Sequence, residues 1–170
     1  MWYRRLLIVL ASILAALFDV TISSWLPGSF GAIRVALPLV IVLAAFSSLE
    51  RALTAAVVGG MIMDLFLPSF GAIMVRYVLI AFIIRGLAQT YVTNRSVIGS
   101  LALGIIGVIT DRLLLLLAVA VRGLMPLPFI PEAHPPLFAE FFWIMIVMVL
   151  TFVLLAAFTR RFMPLVTNRR

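Results

Sequence analysis

Gly59-Gly60-Met61-Ile62-Met63-Asp64-Leu65-Phe66-Leu67-Pro68-Ser69-Phe70-Gly71-Ala72-Ile73 sets one carboxylate inside an apolar run, then breaks the run with proline and glycine. Part of the stretch occurs twice: Leu67-Pro68-Ser69-Phe70-Gly71-Ala72-Ile73 repeats Leu26-Pro27-Gly28-Ser29-Phe30-Gly31-Ala32-Ile33 with one glycine fewer. An aspartate precedes each copy, Asp19 and Asp64, and a third, Asp111, follows at a similar interval. These are the only aspartates in the chain, and all fall in hydrophobic runs. The pattern predicts three membrane hairpins, each with one buried acid.

Working outward, the whole composition agrees with a lipid solvent. The 170 residues are 65% hydrophobic and 11% charged, with a mean hydropathy of +1.29. A soluble domain is about 45–50% apolar and about 25% charged. The apolar runs continue to the C-terminal region, which excludes a lone signal peptide or single anchor, and the length suits one domain, 1–170. The net charge is +7 and every basic residue is arginine. The arginines flank apolar runs and form no aromatic-interleaved patch, so they read as topology signals and contacts to anionic lipid headgroups, with no nucleic-acid partner. The absence of cysteine removes disulfides, thiol nucleophiles and thiolate metal sites.

Six spans are expected, near residues 6–25, 33–46, 52–67, 73–87, 97–121 and 138–158. The first, 20 residues long, covers roughly 30 Å, one bilayer core. The second is short and interrupted by Arg34 and Pro38. It suits a re-entrant segment by length, and the repeat spacing argues for a full but tilted or kinked span. Six spans place both termini on one side, with Arg4, Arg5, Arg51, Arg85, Arg95, Arg160, Arg161, Arg169 and Arg170. Only Arg34, Arg76 and Arg122 lie on the other side, and Arg112 is within a span. Positive-inside counting then puts both termini in the cytoplasm and the proline-rich 122–137 loop outside.

One turn before each aspartate stands a small residue: Ala15, Gly60 and Gly107, with Gly104 extending the third stripe. Residues four apart share a helix face, and small faces let helices approach closely in lipid. The odd spans are therefore expected to pack through these faces with their acids turned inward. The bulkier even spans are left for lipid or a partner. Each Asp is expected past the midpoint of its span, towards the outer side. An unpaired charge at mid-bilayer costs about 2.5–3.5 kcal/mol on insertion scales. The expected pairings are Asp19 with Arg34, Asp64 with Arg76, and Asp111 with Arg112 or another arginine. Adjacent Asp111 and Arg112 point differently on a helix and are poor mutual partners. Two readings of this set stand: a polar pocket or proton path, and ion pairs that fix helix register.

His134 in Pro131-Glu132-Ala133-His134-Pro135-Pro136 has too few neighbouring ligands for a metal site, and Glu140 suits a helix N-terminal charge. The sequence has no Ser-His-Asp arrangement, nucleotide loop or paired catalytic carboxylates, so no enzymatic activity, metal or cofactor is expected.

Span two with Pro38, the turn Ser47–Arg51, the run Ala55–Asp64 and then Ser69-Phe70-Gly71 together resemble the rod shape-determining MreD family. Its motif is a glycine shortly before an aspartate, then a glycine at the next helix start, here Gly60, Asp64 and Gly71. The resemblance covers residues 33–88 in detail. It implies a non-enzymatic membrane component of the cell-elongation machinery, working with MreC-like, MreB-like and RodA/penicillin-binding protein partners in lateral peptidoglycan synthesis. It also implies a fold similar to the substrate-binding component of energy-coupling-factor transporters, six helices around an outward pocket. That similarity generates the alternative, a vitamin-like solute-binding transporter subunit. Such a binder calls for stacking aromatics and several hydrogen-bonding side chains in its outer pocket, and the outer segments offer little Asn or Gln.

Overall fold

The computed structural model describes residues 2–22, 25, 34–67, 72–91, 97–123, 142–151 and 153, and all regular structure among them is helical. The Gly71 position, residues 124–141 with Glu132, His134 and Glu140, and the arginine-rich C-terminal residues 154–170 lie outside the described residues.

Helix α1 runs Trp2–Leu17 and continues into a π-helical turn, Phe18–Ile22, that carries Asp19. Helix α2 is Ala36–Phe46, α3 Leu49–Phe66, α4 Ala72–Tyr91 and α5 Val97–Gly123, followed by a shorter described helix α6, Phe142–Thr151. Two of them, α4 over Ala72–Thr90 and α5 over Leu101–Val121, are long and apolar enough to cross a membrane.

Helix α2 is the centre of the fold, which corrects the expectation that even spans face outward. Ala36, Leu37, Pro38, Val40, Ile41, Val42, Leu43 and Ala44 are all buried, and α1, α3, α4 and α5 all pack on this helix. A helix that is apolar all round belongs in an interior, and Ala36–Phe46 has no polar residue. It is also shorter than a full span: 11 residues rise roughly 16 Å, about half a bilayer core. Pro38 does not break it, because it stands in the first turn, where a backbone N–H has no partner within the helix.

Helix α2 packs mainly on the antiparallel α3 and on α4, which runs parallel to it. On α4 the buried residues Ile73, Arg76, Tyr77, Ile80, Ala81, Ile84 and Ala88 recur at helical spacing on one face. Helices α1 and α3 meet through small residues: Ser12, Ala15 and Ala16 are buried on one, Ala52, Ala55, Ala56 and Gly59 on the other. The Ser12 hydroxyl donates to the Ile8 carbonyl of its own helix, so this polar group is satisfied within the contact. Ala11, one turn before Ala15, is exposed. Large aliphatics point outward from α1 (Leu6, Leu7, Leu10, Leu14) and from α5 (Ile105, Ile109, Leu113, Leu116, Leu117).

Candidate functional site

Asp64 stands in the last turn of α3, and its carboxylate reaches the start of α4. One oxygen accepts from the Ile73 N–H at 3.1 Å and the other from the Met74 N–H at 2.9 Å. The first N–H groups of a helix lack intrahelical partners, and a carboxylate there also meets the positive end of the helix dipole. Gly60 makes this reach possible. A Cβ on Gly60 would come within 2.4 Å of the Met74 Cα, so the two backbones touch where no side chain fits. Glycine and aspartate one turn apart thus form a single device: one admits the next helix, the other caps it.

Asp19 does the same for α2. Its carboxylate accepts from Val35 N–H at 2.6 Å and Ala36 N–H at 2.9 Å, with the buried Ala15 one turn earlier. The charge of Arg34 also acts on Asp19. The register differs from the sequence repeat. In the second hairpin the repeated Ile73 is itself capped, whereas in the first the capped residues begin two positions after Ile33.

The opposite end of α2 is held by a cation. The Arg85 guanidinium of α4 donates to the carbonyls of Ala44 at 3.3 Å and Ser47 at 2.7 Å. An anion at the N-terminus and a cation at the C-terminus both favour the α2 dipole. With its amide oxygen turned towards the guanidinium, Gln89 accepts from Arg85 as well.

Asp111 behaves differently. It caps no helix among the described residues. It pairs with Arg76 of α4, Oδ1 to Nε at 3.7 Å, with both side chains about 5% exposed or less. This corrects the expected Asp64–Arg76 pair: Asp64 engages the end of α4, while Arg76 lies on the α4 face that turns towards α5. Of the two alternatives for Asp111, the partner is another arginine and not the adjacent, half-buried Arg112. Gly107, one turn before Asp111, admits the Ile41 side chain and lies close to Ile84, and Gly104 meets Met148 of α6. Asp111 is also the middle residue of the apolar stretch Leu101–Val121, so its expected displacement towards one end is not found. Asp19 and Asp64 do stand near the ends of their helices.

Tyr77 is the site residue that the sequence reading missed. It is fully buried, and among the described residues its hydroxyl meets a soft acceptor, the Met63 sulfur at 3.4 Å. The charges of Asp19, Arg34, Asp111 and Arg76 all act on it. Its signal was available: Arg76-Tyr77 is the one polar pair inside the α4 run between Ala72 and Ile84.

These groups share one level. From Arg85 up to Arg76 is nine residues of α4, and from Ala44 up to Ala36 is eight of α2, so both lie about 12–14 Å from the Arg85 contact. Five ionisable side chains, Asp19 of the π-helical turn, Arg34, Arg76 and Tyr77 of α4, and Asp111 of α5, therefore gather around the beginning of α2. The arrangement can orient helices and hold a polar group away from lipid. No family model matches the chain, and no curated protein and no solved structure is similar to it.

Proposed function

We propose that the chain is a six-span protein of the bacterial inner membrane, both termini cytoplasmic, that serves as a non-enzymatic scaffold of the cell-elongation machinery. The observation that carries this reading is the Gly60–Asp64–Met74 junction. The two described residues of the MreD-like motif are both spent on joining helices, and a motif of that kind suits a protein whose work is to hold others in place. The arginine asymmetry supports the orientation, and the apolar α4 and α5 support the membrane setting. The partners are MreC-like, MreB-like and RodA/penicillin-binding proteins that direct lateral wall synthesis.

Depletion in a rod-shaped host tests the proposal. Cells should become round, and the protein purified in mild detergent should bring wall-synthesis proteins with it. Normal rods whose growth comes to depend on an added vitamin-like solute would overturn it in favour of a transporter subunit.

A further inference from the structure

The long helices end flush on one side of the molecule and stepped on the other. The Arg76–Asp111 contact sets α4 and α5 at one height, and the Asp64 carboxylate sets the end of α3 beside Ile73 and Met74 of α4. On the side that the arginine count makes cytoplasmic, Arg5 precedes Asp19, Glu50 precedes Asp64 and Val97 precedes Asp111 by the same number of residues, about 21 Å of helix. The Arg5–Glu50 ion pair at 2.8 Å joins two of these ends directly. Above the acids the heights part. Helix α4 begins at Ala72, only about 6 Å above Arg76, and α3 ends beside it at Phe66. Helix α5 continues past Asp111 to Gly123, about 18 Å, and still rises about 14 Å if tilted by roughly 40°, the upper end of the usual range.

The stepped ends have opposite needs. The carbonyls of Asp64, Leu65 and Phe66 have no partner within α3, and the side chains of Leu65 and Phe66 are exposed. An open helix end of this kind is not left facing hydrocarbon, where no water can serve its backbone. At the same height the α5 backbone is still inside its helix and satisfied. Leu113–Val121 is apolar at every position and contains no buried residue, so the other described helices cover little of it, and Arg122 follows as the next polar residue.

We propose that the protein forms a step in the bilayer: headgroups and water of the outer leaflet descend to the junction of α3 and α4, while acyl chains cover α5 up to Val121. The partner is a phospholipid surface, thinner beside α3 and α4 than beside α5 by roughly 8–12 Å. A short apolar length draws the bilayer down and a long one draws it up, and here one rigid unit does both on opposite flanks. This inference rests on the membrane setting proposed above and is independent of the scaffold role.

Depth measurement in vesicles tests it. Leu67 lies about 4.5 Å above Asp64 and Leu117 about 9 Å above Asp111, and since Asp64 meets α4 nearly one turn above Arg76, the two leucines stand at nearly one height. Both are exposed, as is Leu14 of α1, which lies below the acids. Single variants Leu14→Cys, Leu67→Cys and Leu117→Cys of the full-length protein take a nitroxide label in vesicles of phosphatidylethanolamine and phosphatidylglycerol. Collision with oxygen, which concentrates in hydrocarbon, is compared with collision with a water-soluble nickel chelate. The step predicts that oxygen dominates at positions 14 and 117 and the nickel chelate at position 67. Equal ratios at 67 and 117 mean a flat outer leaflet and overturn the proposal. A label at 67 shielded from both probes means that protein covers the junction, and overturns it too. If the nickel chelate dominates at position 14, the chain is not in hydrocarbon at all, and the membrane setting falls together with the step.

Discussion

Three aspartates in three similar apolar runs have two different occupations. Asp19 and Asp64 neutralise helix ends, and Asp111 neutralises a side chain. The difference lies in what the facing helix presents. Where the chain turns back at once, the acid meets fresh backbone N–H groups. Where it meets a helix beyond its first four N–H groups, those groups are already bonded and a side chain answers it, here Arg76. Replacing Arg76 or Asp111 singly by alanine should therefore destabilise by about 3–5 kcal/mol, because the other charge is left buried and unpaired. A double-mutant cycle in detergent should show strong coupling between these two positions and near-additivity for Arg76 with Asp64. Coupling of Arg76 to Asp64 in its place would restore the pairing expected from sequence. Asp64→Ala should cost about 0.5–2 kcal/mol as a lost cap, and Asp64→Asn less, since asparagine also accepts from helix N–H groups. Thermal unfolding of the two variants checks this, and equal losses would show that the cap works through charge alone.

At the scale of helices, glycine has different uses at Gly60, Gly107 and Gly86. An added methyl at Gly60 meets the Met74 backbone, which cannot yield without separating α3 from α4. At Gly107 it meets the end of the Ile41 side chain, which can rotate away, and at Gly86 it meets nothing within 4 Å. Gly60→Ala should lower the yield of folded protein most, Gly107→Ala less, and Gly86→Ala should be neutral or stabilising by up to about 1 kcal/mol, the helix-propensity gain over glycine. Fluorescence-detected size exclusion of the three variants gives the order, and equal tolerance at Gly60 and Gly86 would remove the close crossing. Ala81→Leu belongs with the disruptive changes, since Ala81 is fully buried. The small residue one turn before each acid was legible because helical periodicity puts both on one face. The pairing of Arg76 was not. Counting residues from the turn gives depth along a helix and leaves its rotation open, and rotation is what places Arg76 with Ile80 and Ile84 towards α5. The burial of α2 was hidden by its length. A short apolar run shows that it avoids water and leaves open whether lipid or protein surrounds it, although an all-apolar circumference already favoured the interior.

Taken as a whole, the molecule encloses a half-length helix with its dipole matched at both ends, and gathers its buried charges at one level around the beginning of that helix. The chain's lack of cysteine makes its orientation directly measurable, because a single introduced cysteine is the only thiol present. The most direct test of the membrane account is labelling of Ser48→Cys, in the exposed turn between α2 and α3, and of Ala133→Cys, in the proline-rich segment, with a membrane-impermeant maleimide. Six spans with cytoplasmic termini predict that intact spheroplasts label position 133 and not 48, and that inverted vesicles label 48 and not 133. Labelling of position 133 from the cytoplasmic side only, or of both positions from the same side, would contradict the account.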